Sequence, residues 1–128
     1  MALYQLAQVN VARMLAPIDS STMASFVALL DEINALADAS PGFVWRLKGE
    51  GNDATSLRPF DDNLIIVNMS VWEDLGSLRA YAYGGAHAAV MRRRREWFSA
   101  FGAPYLALWW VPAGHKPDPG EVKERLVR

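Results

Sequence analysis

The residues with chemistry to offer gather in the second half of the chain. His87 opens the stretch GAHAAVMRRRREWF, and a helix over Ala86–Phe101 would place Val90, Met91, Arg94, Trp97, Phe98 and Phe101 within about 80° of it. Arg92, Arg93, Arg95 and Glu96 fall outside that stripe. An imidazole and one guanidinium, Arg94, are therefore expected to point at a layer that should be apolar. Buried polar groups need partners. The strand-like stretches LAQVNVA and LIIVNMSVWE supply them on one face: Gln8 and Asn10 on the first, Asn68, Ser70 and Trp72 on the second. If this mixed face meets the helices, a half-polar cavity lies between, walled by aromatics such as Trp72, Tyr81, Trp97 and Trp45. Two readings follow. The polar groups either close a structural network among themselves or line a ligand pocket with His87 as base, acceptor or metal ligand.

Other candidates carry less. His115 in GHKP reads as a turn residue. Asp61-Asp62 reads as a strand cap paired with Arg58. The four arginines diverge around the helix, and the formal net charge of -1 supplies no field for nucleic acid or an anionic membrane. No zinc-ligand spacing, phosphate-cradling glycine loop, nucleophile elbow or dinucleotide fingerprint is present, and one histidine without a second nearby argues against a tight metal site. With no cysteine, thiolate nucleophiles and disulfides are excluded.

The elements that must position these residues read as follows. Leu3–Ala12 alternates as a strand. Asp19–Thr22 offers N-caps to a helix whose stripe is Met23, Phe26, Val27, Leu30, Ile33 and Ala37, stopped by Ser40-Pro41-Gly42. Phe43–Lys48 is a short aromatic strand, Gly49–Asn63 a long loop, and Leu64–Glu73 the central strand. Leu75–Tyr83 and Ala86–Phe101 form a helix broken at Gly84-Gly85, and Tyr105–Pro112 is the last strand before the tail at 113–128. The order strand, helix, strand, strand, helix, strand predicts an α+β, ferredoxin-like βαββαβ fold: a four-stranded antiparallel sheet with both helices on one face. At 128 residues it is one domain.

The other sheet face carries Ala7, Val9, Val11, Ile65, Val67, Met69 and Val71, with no polar group. Two helices cannot cover it, leaving roughly 400 Å² of apolar surface bare. A second copy packed face to face would cover it, so a homodimer is expected. MALYQLAQ lacks a secretory pattern and no run approaches membrane-spanning length, so the default expectation is a cytoplasmic protein without membrane or nucleic-acid partners.

The segments LAQVNVAR, SPGFVWRL, RPFDDN, NMSVWEDL, GAHAAVMRRRREWF and LALWWVPAGHKP together resemble an uncharacterised bacterial family of the dimeric α+β-barrel superfamily, alongside the antibiotic-biosynthesis and haem-degrading monooxygenases. The resemblance covers nearly the whole chain. It implies a homodimer whose sheets close into a barrel, with a pocket in each subunit between sheet and helices. Haem-degrading members use a first-strand asparagine, a second-helix tryptophan and a later histidine. Asn10 and His87 stand at comparable places, but Tyr81 replaces the tryptophan and its spacing to His87 is shorter, which counts against haem degradation. Quinone-forming members oxygenate aromatic substrates without metal or flavin, using a dry aromatic cavity, a proton acceptor and a few hydrogen-bond donors.

On this reading the protein binds a small aromatic or polyketide-like molecule and acts as a cofactor-independent monooxygenase. His87 is the base, Asn10 and Asn68 orient substrate oxygens, and Arg94 stabilises developing negative charge. Asn68, Ser70, Trp72, Tyr81, Trp97 and Trp45 form the binding surface. The alternative is a non-catalytic dimer that holds a hydrophobic ligand, haem included, with His87 and Arg94 in a structural network.

Overall fold

The first strand is the spine of the molecule. In the computed structural model, which describes residues 4–48, 64–99, 106–118 and 120–121, β1 (Tyr4–Met14) takes neighbours along both edges. On one side runs β3 (Ile65–Trp72), antiparallel from Leu6↔Trp72 to Arg13↔Ile65, and β3 in turn pairs with β2 (Phe43–Arg46). On the other side β5 (Leu106–Pro112) pairs with Tyr4–Asn10, while a two-residue strand, β4 (Phe98–Ser99), meets Arg13 and Met14. The long strands therefore stand in the order β2-β3-β1-β5, the ferredoxin-like order, in an antiparallel sheet that curls into a half-barrel.

The helices obey local rules with one exception. α1 (Ala24–Asp38) follows a 3-10 turn at Ser21–Met23. The Ser20 hydroxyl donates back to the Pro17 carbonyl instead of capping, so the expected side-chain cap is not made. α2 (Leu75–Ala82) starts under Asp74, whose Oδ1 accepts the Ser77 amide at 2.7 Å. That bond holds the Asp74 carboxyl below its ordinary value. Gly42 turns the chain between α1 and β2 at φ 81°, where a Cβ would overlap the Ser77 side chain.

The exception is the second half of the broken helix. α3 (Gly85–Arg92) begins at the glycine break as expected but ends at Arg93, and a 3-10 turn (Arg94–Glu96) leads to Trp97 and β4. The sequence MRRRREWF is helix-permissive throughout; tertiary packing decides otherwise. Turning early lets Trp97 sink beneath α1, its Nε1 donating to Ser25 Oγ at 2.9 Å and its ring 5.5 Å from Phe26, and lets Phe98 and Ser99 finish the ladder on β1. A helix continued to Phe101 would forfeit both.

Two apolar layers result. Between sheet and helices, Met14, Met23, Ile66 and Trp97 are buried, with Phe26, Leu29, Val90 and Phe98 packed on them. On the opposite, concave face Ala7, Val9, Val11, Val67, Met69, Val71, Trp109 and Val111 form the second core. The expectation that this apolar face lies bare is corrected: within a single chain Ala7, Val9 and Val71 are all 0% exposed. The curl of the sheet brings Trp109, Val111 and Trp45 over the strand centre. The tail adds to the cover, with Pro117 buried and Glu121 accepting Trp109 Nε1 at 3.1 Å and meeting His115 Nε2 at 2.9 Å. What is exposed instead is the outer side of β5, where Leu106, Leu108 and Trp110 alternate outward. No helix among the described residues is long and apolar enough to cross a membrane.

Candidate functional site

Strand alternation and register assemble the polar face. Because β1 and β3 pair with Gln8↔Ser70 and Asn10↔Asn68, four polar side chains meet at the middle of the helix-facing side. Gln8 Nε2 donates to Asn68 Oδ1 at 2.9 Å and to Ser70 Oγ at 2.7 Å. Asn10 Nδ2 donates to Gln8 Oε1 at 3.2 Å, and Trp72 Nε1 reaches the same Ser70 oxygen at 2.8 Å. Gln8, Ser70 and Trp72 are buried, Asn10 is half-buried, and Asn68 is exposed although it lies in the middle of a central strand. A polar trough therefore opens on the helix side, between the Trp97 core at one end and an aromatic stack at the other.

That stack carries the histidine. Trp72 lies 5.2 Å from Tyr81 with the rings 26° apart, and Tyr81 lies 4.9 Å from the His87 ring. Phe43 packs edge-on against the far side of Trp72. His87 is the third residue of α3, and its Nδ1 stands 2.9 Å from the Ala82 carbonyl at the end of α2. A carbonyl only accepts, so Nδ1 carries a proton and Nε2 is the nitrogen left for chemistry. The glycine break thus has a structural use: it turns the chain so that the α2 terminus orients the α3 imidazole. The Tyr81 phenol donates to the Ile33 carbonyl of α1 at 3.2 Å. Burial pushes it up to about 12, with nearby Arg46 opposing the rise and Asp38 adding to it.

Of the residues expected in the site, Asn10, Asn68, Ser70, Trp72, Tyr81 and His87 form one continuous chain of contacts. Three do not join it. Arg94 is exposed, because α3 has ended before it; all four arginines of the run face outward, and the guanidinium engaging an aromatic is that of Arg93, which pairs with Glu96 and lies 4.9 Å above Trp97. Trp97 is a core residue under α1. Trp45 lies against the concave core on the other side of the sheet, since the irregular pairing between Phe43 and Trp45 turns it to the face of Val71. Asp61, Asp62 and Arg58, with the whole 49–63 loop, lie outside the described residues. No cluster of metal-ligating side chains occurs among the described residues.

Sequence reasoning placed Gln8 on this face without assigning it to the site, and passed over two further residues that the fold brings to this layer, Arg46 and Asn34. Gln8 is the hub of the network. Arg46, 6% exposed, stands opposite Ser70 and is held by Asp38 through Nε at 2.8 Å and Nη2 at 3.3 Å. Asn34 is buried on the inner side of α1. The signal for Asn34 was present, since it falls three residues before Ala37 and four after Leu30 on the apolar stripe. A separate open groove of about 430 Å³ runs along the start of α2, lined by Ser40, Pro41, Asp74, Gly76, Ser77, Ala80 and Tyr81. It meets the trough only at Tyr81, and its one carboxylate is engaged as a helix cap.

A curled antiparallel sheet in the ferredoxin-like order, with its helices over one face, defines the class: an α+β protein. The chain belongs to the family described as a domain of unknown function, DUF3291, which it matches over residues 5–128. No curated protein sequence matches it. Among solved structures it is similar to SnoaB, a cofactor-independent oxygenase from Streptomyces nogalater, at 17% identity and a TM-score of 0.53, covering 88% of this chain and 95% of that one. A Chloroflexus aurantiacus protein provisionally named an antibiotic biosynthesis monooxygenase matches at 15% identity and a TM-score of 0.57, covering 88% and 97%. A Nitrosomonas europaea protein of unknown function matches at 16% identity and a TM-score of 0.54, covering 91% and 96%. Identities this low establish the shared fold.

Proposed function

We propose that the trough binds a small aromatic or polyketide-like molecule and that the protein oxygenates it without metal or flavin. The observation that carries this reading is the contact chain from His87 through Tyr81, Trp72 and Ser70 to Gln8, Asn68 and Asn10, with Asn68 exposed at its open end. Flat aromatic rings flank a strip of amides, which suits a planar ligand bearing oxygens. His87 Nε2 would take a proton from an activated carbon, and the amides of Asn10 and Asn68 would hold the neighbouring oxygens as charge develops. The carbanion then reduces dioxygen. One oxygen atom enters the substrate as a carbonyl, the other leaves as water, and the substrate CH₂ supplies both hydrogens. The resemblance to SnoaB in fold is compatible with such chemistry.

The protein is further proposed to work as a homodimer. Among the described residues β5 pairs with β1 alone, and its Leu106, Leu108 and Trp110 are 52%, 47% and 58% exposed, beside Tyr4 at 58%. A strand carrying such an apolar strip favours a second copy as its cover. Light scattering should return twice the chain mass, and Trp110→Glu should halve it.

Oxygen uptake with an anthrone, an aromatic with an acidic benzylic CH₂, tests the reaction. The wild type should consume one O₂ per turnover, and His87→Ala should lose turnover while its thermal midpoint stays within a few degrees. Absence of uptake with no releasable passenger in a native mass spectrum would refute the enzymatic reading. A Soret band on titration with hemin, lost in His87→Ala, would move the assignment to haem binding.

A further inference from the structure

Three side-chain amides meet on the helix-facing side of the sheet, and that of Gln8 joins the other two. Gln8 uses both of its N–H groups, donating from Nε2 to Asn68 Oδ1 at 2.9 Å and to Ser70 Oγ at 2.7 Å. Its Oε1 accepts Asn10 Nδ2 at 3.2 Å, and Asn10 Nδ2 also reaches Asn68 Oδ1 at 3.4 Å. Gln8 is buried, so water competes little for these bonds. Bonded at both ends, its amide cannot turn without breaking the set.

An amide has one donor end and one acceptor end. Asn68 meets the donor end of Gln8 and Asn10 the acceptor end, so the two asparagines face it with opposite atoms. What each has left is therefore opposite as well: the Asn68 Nδ2 hydrogens and the Asn10 Oδ1 lone pairs. Neither of these atoms has a protein partner among the described residues. Turning the Gln8 amide over would reverse both asparagines together, and the opposition would survive. Asn10 and Asn68 stand directly across from each other in the β1–β3 register, so the residues offering the free donor and the free acceptor are side by side. Asn68 is exposed and Asn10 half-buried, so this pair is open to solvent without any movement of the fold.

We propose that Gln8 is a positioning residue that locks this opposition, and that the asparagine pair it positions selects a planar aromatic ligand with a hydrogen-bond donor next to an acceptor. A hydroxyl beside a carbonyl, or a primary carboxamide, has that pattern. The ligand's acceptor is met by Asn68 Nδ2 and its donor by Asn10 Oδ1. A ligand with acceptors alone sets one of its lone pairs against Asn10 Oδ1 and is disfavoured. This rests on the aromatic-ligand reading of the trough and adds what that ligand must carry.

Equilibrium dialysis of the purified full chain tests it with two neutral probes, 2-naphthamide, a donor beside an acceptor, and methyl 2-naphthoate, which has acceptors only. Wild type should bind the amide about tenfold more tightly than the ester. In Gln8→Leu each asparagine is released to turn either end toward the ligand, and the preference should shrink to about threefold or less. A Gln8 that serves the fold alone would weaken both probes alike and leave their ratio unchanged, which would overturn its positioning role. Two further variants decide the matter should Gln8→Leu fail to fold. Asn68→Ala should weaken both probes, because both give it their carbonyl, whereas Asn10→Ala should weaken the amide alone. The same two outcomes exchanged between the asparagines would support the opposition with the Gln8 amide turned over. Equal losses for both probes in both variants would overturn it. Equal affinity of the two probes for wild type would overturn the selection and leave the aromatic-ligand reading standing. No binding of either probe would remove that reading, and this inference with it.

Discussion

Ser70→Ala is the sharpest probe of the polar face, because one oxygen there serves two buried donors. Ser70 Oγ accepts Gln8 Nε2 at 2.7 Å and Trp72 Nε1 at 2.8 Å, and Trp72 is 1% exposed. Removing the hydroxyl leaves the indole N–H with no acceptor, which costs about 1–3 kcal/mol. Gln8 Nε2 retains Asn68 Oδ1 at 2.9 Å and loses only its second bond, a further cost of about 1 kcal/mol. The sum is about 2–4 kcal/mol, a large share of the 5–15 kcal/mol that holds a typical domain together. At this chain length a loss of that size lowers the melting temperature by roughly 6–15 °C. Urea denaturation followed by tryptophan fluorescence measures it directly. Trp72→Phe alone removes the same donor, so the double variant should cost less than the sum of the two by about 1 kcal/mol. A Ser70→Ala loss under 0.5 kcal/mol, or strict additivity, would show that the two donors do not depend on this oxygen.

The other predictions follow from single features. Gly42→Ala should destabilise by roughly 2 kcal/mol or more, since φ is 81° and the new methyl would overlap Ser77; a neutral result by calorimetry would mean the turn can rearrange. Tyr81 should titrate near 12 against an ordinary 10 in an absorbance titration at 295 nm, and Tyr81→Phe should delete that step. Because its folded value is raised, the stability it contributes is complete below pH 10 and is lost as pH climbs through 12. Asp74 works with the opposite sign: its value is lowered, so the cap on α2 is present above the ordinary value of 3.8 and lost as pH falls through the lower folded value. Asp74→Asn should flatten that part of the acid unfolding curve. His87→Ala should cost about 1 kcal/mol from the lost bond to Ala82, far less than Ser70→Ala; a larger loss would make the imidazole a structural element first.

Much of this was legible in the residues alone. Period-two alternation in LAQVNVA and LIIVNMSVWE placed Asn10, Asn68, Ser70 and Trp72 on one face, and that face meets the helices because the other has no polar group to satisfy. Helical spacing, Gly84-Gly85 and Pro41-Gly42 marked where α1, α2 and α3 begin and end to within a few residues, with one failure. Local propensity favours helix through Arg95, and nothing local reveals that Trp97 and Phe98 gain more by packing on Phe26 and pairing with β1. That long-range gain is what turned Arg94 outward and removed it from the site.

Curvature and register were likewise beyond a linear reading. A flat sheet would bare its apolar face and call for a partner to cover it. The curled one folds Trp109 and Trp45 onto that face and leaves Leu106, Leu108 and Trp110 outside instead. A register irregularity between Phe43 and Trp45 sends Phe43 to the Trp72 stack and Trp45 to the opposite core. Composition and period decided which residues share a face, because those depend on neighbours a few positions away. Which polar groups find partners depends on atoms brought together across the whole chain, and only the tertiary structure sets that.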